Sequence, residues 1–286
     1  MKIEKAVIAA AGNGTRFLPV TKAYAKELIP VLNKPIIQYL VEELIGAGIK
    51  KICVIHRPND SSIKRYFFAD NSFKKSLADN GKLHLISDLE KIQKANLGWH
   101  FLPQSGSYSY GTGAPVLSAQ KFIGADPFVY FYGDDLILEK KPGRFLSSLI
   151  KTFVHFKPKA VLGVQEAPWN EVARYGSVRF KKDGLVPYQI ESVEEGLPAG
   201  RAPSNFVQFG RFVVSPYVLE VLKKQRARIA AAGSSRPELL FTDAVKTLAK
   251  KELVIAQPIK SGRWLTTGDP DRWLKANLAF KEFFKK

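Results

Sequence analysis

The feature of this 286-residue sequence that most narrows its fold is an alternation of short apolar runs with stretches of helical spacing. Ala6 to Ala10, Ile52 to Ile55 and Phe128 to Tyr132 are apolar throughout and too short for helices. Side chains of a strand alternate between two faces, so an unbroken apolar run needs cover on both, as in a parallel sheet between helices. Between the first two runs, Ile36, Ile37, Leu40, Val41, Leu44 and Ile45 recur with helical periodicity. Pro35 suits the first helical position, and Gly46 and Gly48 suit the exit. These patterns predict an α/β fold, a mainly parallel sheet flanked by helices.

Beyond residue 160 the pattern is mixed. Ala160 to Val164 and Phe206 to Val214 read as strands, and Tyr175 to Val178 with the Lys182-Asp183-Gly184 turn reads as a hairpin. Thr242 is placed to cap a helix running through Leu248, and Asp269-Pro270 to open a terminal helix. No internal repeat or low-complexity linker divides the chain, so residues 1–286 are read as one domain. Gly233-Ser234-Ser235 is the candidate for a mobile loop.

Charge is the largest compositional bias: 44 Lys and Arg against 26 Asp and Glu give a net charge of +18. Such a field favours anionic ligands. The basic residues are scattered, however, with no run of five, so a solvated surface serving an anionic small molecule is preferred over nucleic-acid binding. The single cysteine, Cys53, lies in an apolar run and excludes an intrachain disulfide or a cysteine-clustered metal site. The first apolar run is too short to span a bilayer, so neither a signal peptide nor a membrane helix is expected, and the cytoplasm is the expected location.

The first strand leads into Ala9-Ala10-Ala11-Gly12-Asn13-Gly14-Thr15-Arg16. Small residues and glycines let a backbone approach a ligand closely and offer N–H groups to phosphate. A dinucleotide fingerprint would need a third glycine where Phe17 stands, and no Gly-Lys-Ser/Thr follows to make a P-loop. A Gly-x-Gly loop alone is as often a structural turn as a site.

Its continuation is more specific. Gly12-Asn13-Gly14-Thr15-Arg16-Phe17-Leu18-Pro19-Val20-Thr21-Lys22-Ala23-Tyr24-Ala25-Lys26-Glu27-Leu28-Ile29-Pro30 resembles the signature of sugar-1-phosphate nucleotidyltransferases, above all their UTP–glucose-1-phosphate uridylyltransferase branch. Gln104 with Tyr110-Gly111-Thr112-Gly113, Tyr132-Gly133-Asp134-Asp135, Tyr175-Gly176-Ser177-Val178 and Glu238-Leu239-Leu240-Phe241-Thr242-Asp243-Ala244 extend the resemblance over nearly the whole chain.

The resemblance implies a Rossmann-like, glycosyltransferase-A-like sheet, with a nucleotide-binding part at about residues 1–140 and a sugar-binding part beyond. It implies UTP and a sugar 1-phosphate, glucose 1-phosphate foremost, as substrates, Mg²⁺ as cofactor, and a homo-oligomer as the assembly. Arg16, Lys26 and Asp134 are the implied catalytic residues, Asp134 holding the metal. Ala10, Ala11, Gly12, Gly14, Thr15, Arg16 and Lys26 would bind the triphosphate, Gln104 and Gly111 the base, and Gly176 and Glu191 the sugar.

Two positions depart from the family. Ile190-Glu191-Ser192-Val193 has Ser192 where a phosphate-holding lysine is expected, and Thr266 stands where a second metal-binding aspartate is expected. Lys181, Lys182 or Arg201 could replace the cation and Asp269 the carboxylate. Two readings stay open on the sequence: a nucleotidyltransferase, or a catalytically weak or inactive nucleotide-sugar binder with a regulatory role. A basic nucleic-acid-binding module is the third, resting on charge alone.

Overall fold

The computed structural model describes residues 1–68, 71–106, 110–233 and 238–285. Eleven of its strands are numbered here in chain order: β1 Lys5–Ala10, β2 Lys51–His56, β3 Gly98–Pro103, β4 Phe128–Tyr132, β5 Asp135–Leu138, β6 Ala160–Glu166, β7 Gly176–Phe180, β8 Ile190–Glu195, β9 Phe206–Val214, β10 Val254–Pro258 and β11 Arg263–Thr266. One nine-stranded sheet runs in the order β8-β7-β9-β4-β1-β2-β3, and β6 and β10 extend it from β9. The half 4-1-2-3 is parallel throughout. β9 runs antiparallel to β4, β6 and β7, which makes the second half mixed. β5 and β11 form a separate antiparallel ribbon.

The apolar runs behave as two-faced strands. Ala6, Ile8, Ile52, Val54, Val129 and Phe131 enter one core cluster, while their neighbours Val7, Cys53, Ile55, Phe128 and Tyr130 enter the other. Helices Ile36–Gly46, Arg144–Phe156 and Pro270–Phe284 cover the first face; Val218–Ala231 and Phe241–Ala249 cover the second. Cys53 is a buried core thiol, its pKa pushed up to about 12 by burial. No helix of the described residues is long and apolar enough to cross a membrane.

Boundaries differ from the sequence expectations in instructive places. Pro35 precedes the helix as its cap residue instead of opening it. Thr242 does not cap its helix: Leu240 holds that position, and the Thr242 hydroxyl, inside the first turn, donates to Glu195 Oε1 at 2.5 Å. Asp269 does cap the terminal helix, accepting from the Arg272 amide at 3.0 Å with Pro270 following. Ser234 and Ser235 of the expected mobile loop lie outside the described residues. In register, Ala10 pairs with His56, His56 with Pro103, and Ala9 with Tyr132. The carboxyl ends of β1 to β4 therefore open on one edge, where open α/β sheets place ligands.

Candidate active site

The glycine loop leaves β1 at Ala10, which is buried, through half-buried Ala11 and Gly12. Gly14 adopts φ +62, and a Cβ there would meet Thr21 Cγ2 at 2.8 Å, so the turn requires glycine. The Gly14 carbonyl accepts from the Thr21 hydroxyl at 2.8 Å, and the Thr21 carbonyl accepts from Arg57 Nη1 at 3.1 Å. Asp60 fixes that guanidinium at 2.6 Å. The chain thus folds back through single turns at Thr15–Phe17, Val20–Lys22 and Lys26–Leu28. Buried Ala25, Glu27 and Ile29 anchor the last turn, leaving Lys26 beneath the loop. A Cβ at Gly12 would stand 3.5 Å from Lys26 Cε.

β4 delivers the acids to the same place. At Gly133 a side chain would collide with the Ala9 carbonyl at 2.4 Å and Glu27 at 2.9 Å, so only glycine lets the strand exit there. Asp134 Oδ2 accepts from Lys26 Nζ at 2.7 Å, and Glu27 Oε1 lies 4.0 Å from the same ammonium. Burial opposes the charge on Lys26, but Asp134 and Glu27 outweigh it and hold the ammonium protonated beyond its ordinary range. Burial likewise opposes ionisation of Asp134; the charge and hydrogen bond of Lys26 reverse this and hold the carboxyl below its ordinary value. Glu27, wholly enclosed, is pushed up to about 7 by burial, with Lys26 pulling it back.

Asp135 has a different task. Its carboxylate accepts from the Gly210 amide at 2.7 Å and Trp264 Nε1 at 2.8 Å, tying β5 to β9 and β11. Burial, then the charge of Asp134, pushes it up to about 6. Below it, fully buried Arg211 makes paired hydrogen bonds with Glu43 and donates to the Asp135 carbonyl at 2.7 Å.

The third side of the site comes from the end of the chain. Thr267 donates its amide and its hydroxyl to the Asp134 carbonyl, at 2.7 and 2.8 Å. Arg16 Nη1 donates to the Gly268 carbonyl at 3.5 Å. The space that a Gly268 side chain would take is bounded by Asp134 Oδ2 at 3.2 Å, Thr266 Oγ1 at 3.5 Å and Arg16 Nη1 at 3.7 Å. Arg16, Lys26 and Asp134 therefore face one cleft, with Thr15 exposed at its rim.

Asp269 cannot stand in for the carboxylate that Thr266 lacks. It caps the helix and pairs with Arg272 Nη1 at 2.6 Å. Among the described residues no three His, Cys, Asp or Glu side chains gather as a metal cage. Mg²⁺ commonly binds through one or two carboxylates plus substrate phosphates and water, so Asp134 beside a hydroxyl fits it without such a cage.

At the other end of the cleft the structure corrects one placement. Gly176 pairs with Glu195 and Ser177 with Glu194, and a bulge separates Ile190 from Ser192. Glu191 is exposed and lines an open groove with Arg179, Lys181 and Lys250, four positions along the edge strand from the residue opposite Gly176. The expectation that Glu191 shares a site with Gly176 fails; Glu195 is the acid brought there. Ser192 is buried across from Arg179, while Lys181, Lys182 and Arg201 are exposed. Gly176 is held to glycine by Gln208, whose amide a Cβ would meet at 2.8 Å. Gly111, with φ +115, is pressed against the Leu239 carbonyl. Gln104 follows β3, its amide bonded to the His56 carbonyl at 2.8 Å.

Three residues of the cleft escaped the sequence reading. Glu27 lies inside the signature from Gly12 to Pro30, where nothing in a sequence marks a glutamate as enclosed. Thr267 adjoins Thr266 and acts through a backbone carbonyl. Glu195 depends on strand register, which carries no local signal.

The Nucleotidyl transferase family model matches residues 5–282. The UTP–glucose-1-phosphate uridylyltransferase of Streptococcus pneumoniae serotype 4 is 35% identical over 284 residues, 98% of this chain and 90% of that protein. That of Bacillus subtilis strain 168 is 35% identical over 267 residues, 92% of this chain and 86% of the relative. An apo UDP-glucose pyrophosphorylase superposes with a TM-score of 0.88 at 27% identity, covering 98% of this chain and 99% of its own. The UTP-bound UGPase of Acinetobacter baumannii superposes at 0.84 with 27% identity, covering 99% and 98%. A family model that spans nearly the whole chain, with relatives 35% identical over more than nine-tenths of it, leaves one conclusion: the chain belongs to the nucleotidyl transferase family.

Proposed function

We propose that this chain transfers the uridylyl group of UTP to glucose 1-phosphate in the cytoplasm, giving UDP-glucose and pyrophosphate. The observation that carries the reading is the convergence of Arg16, Lys26 and Asp134 on one glycine-lined cleft, in a chain whose full-length relatives bear that activity in their names. A phosphate oxygen of the sugar attacks the α-phosphorus of UTP. The bond from that phosphorus to the bridging oxygen breaks, and pyrophosphate departs. No covalent intermediate on the protein is needed, so positioning and charge neutralisation supply the rate.

The backbone of Gly12 to Thr15 cradles the triphosphate without side-chain reorganisation. Arg16 and Lys26 neutralise it and the leaving pyrophosphate. Asp134, with the Thr266 hydroxyl beside it, would hold Mg²⁺, which screens the phosphate charges when bound. Gln104 and the Gly111 backbone orient the uracil. Gly176 lets the sugar lie against backbone, and Glu195 accepts hydrogen bonds from its hydroxyls.

The test is pyrophosphate release from UTP, glucose 1-phosphate and Mg²⁺. Turnover is expected with this pair and should fall sharply for other nucleotides. UTP binding by calorimetry with no pyrophosphate from any sugar 1-phosphate would overturn the enzyme reading and leave the non-catalytic binder. Thr266→Asp should tighten Mg²⁺ binding, because it adds an anionic oxygen next to Asp134.

A further inference from the structure

Lys26 has two carboxylate neighbours, and they differ in kind. Asp134, 2.7 Å away, keeps 27% of its side chain exposed and faces the cleft. Glu27, 4.0 Å away, is 0% exposed, wedged against Gly133, and neither of its oxygens has a hydrogen-bond partner among the described residues. An enclosed carboxylate without hydrogen bonds is costly unless a charge compensates it. Lys26 is the nearest cation; Arg57, the other cation in range, is committed to Asp60 and the Thr21 carbonyl.

The Asp134 oxygen bonded to Lys26 is also the one that borders the Gly268 space beside Thr266 and Arg16. A metal drawn to that oxygen shares it with the Lys26 ammonium, and two positive charges on one atom weaken each other's hold on it. The ammonium must then be held from elsewhere.

We propose that Glu27 is a positioning residue, a fixed counter-charge behind Lys26 that lets the ammonium release Asp134 to Mg²⁺ while remaining aimed into the cleft. The proposal rests on the uridylyl-transfer reading. Without Glu27 the ammonium would pair with Asp134 alone, more tightly, and compete with the metal for that oxygen.

The test is direct metal binding. Mn²⁺ is titrated into the full chain saturated with UTP at pH 8 and followed by electron paramagnetic resonance. Glu27→Gln should weaken Mn²⁺ binding about tenfold, within the range of coupling between charged groups in contact. In a Lys26→Ala background the competitor is gone, so adding Glu27→Gln should change Mn²⁺ affinity by less than about twofold. A residue that merely supports the fold would not lose its effect in that background. A folded Glu27→Gln protein that binds Mn²⁺ as tightly as the parent overturns the proposal, and so does an effect undiminished without Lys26. Should Glu27→Gln fail to fold, Glu27→Asp replaces it, with weakening of about threefold expected and no weakening decisive against. Parent turnover is read separately, so failure of the uridylyl-transfer reading is distinguishable from failure of this one.

Discussion

At the end of the cleft proposed for the nucleotide, Lys26, Glu27, Asp134 and Asp135 are each held within 4.0 Å of a polar partner or counter-charge, and all four have pKa values displaced by burial and those contacts. At the end proposed for the sugar, Glu195 stands exposed on an edge strand and accepts from one threonine hydroxyl, with Glu191 four positions away in an open groove. The first end is assembled from charges that enclosure locks in place. The second is assembled by strand pairing, and its acids stay near water. Charge-locked geometry suits chemistry that must not reorganise; a pairing-built, wetter pocket suits a neutral sugar whose hydroxyls are met one by one.

The widest separation between the two ends should appear in turnover. Asp134→Asn and Lys26→Ala should each lower kcat by about 10²–10³, the usual consequence of losing one preorganised group. Pyrophosphate release at saturating UTP measures this. A loss of less than tenfold in both would erase the contrast between the two ends.

The next effect is on stability and its pH dependence. Glu27 has a folded pKa raised from 4.5 to about 7, so the folded chain holds this proton where the unfolded chain has lost it. Stability from this group is therefore complete below about 4.5 and falls as pH rises through about 7, by on the order of 3 kcal/mol. Glu27→Gln should flatten that fall and raise the melting temperature at pH 8. Melting curves between pH 5 and 8 check it; an unchanged slope would mean that the carboxyl is not enclosed.

Smaller again is a paired test of two glycines. Gly14 and Gly196 both have positive φ, +62 and +69, but a Cβ at Gly14 meets Thr21 and Lys26, while at Gly196 it meets nothing within 4 Å. Gly196→Ala should cost about 1 kcal/mol from backbone strain alone. Gly14→Ala should cost about 2 kcal/mol or more, and should also weaken UTP binding. Equal losses by chemical denaturation would show the two ends to be equally crowded.

The smallest effects belong to the sugar end. Glu195→Gln should raise KM for glucose 1-phosphate several-fold, about 1 kcal/mol, while Glu191→Gln should leave it within twofold. Steady-state kinetics at fixed UTP distinguish them. The reverse order would restore Glu191 to the site.

How much of this was legible follows the same division. The apolar runs of β1, β2 and β4 announced two-sided burial, and the structure seats their alternate residues in two separate cores. The signature from Gly12 to Pro30 singled out Lys26 through resemblance, and in the structure local steric demands at Gly14 and Gly133 let Lys26 and Asp134 meet at 2.7 Å. The Asp269 cap was readable for the same local reason. Glu195 was not readable, since a bulge between Ile190 and Ser192 shifts the pairing, and the energy that sets a bulge is spread over both strands. Thr242 misled because a threonine before a helical pattern satisfies the capping rule equally well whether its hydroxyl turns to its own backbone or to a distant carboxylate.

The contacts of Thr267 with Asp134 span 133 positions, and those of Arg16 with Gly268 span 252. Ribosomes release a chain from its amino end, so Asp134 waits beside an unfinished wall until residues 267 and 268 have emerged. A nascent chain stopped short of residue 263 would carry the glycine loop and Asp134 without the ribbon that walls the cleft.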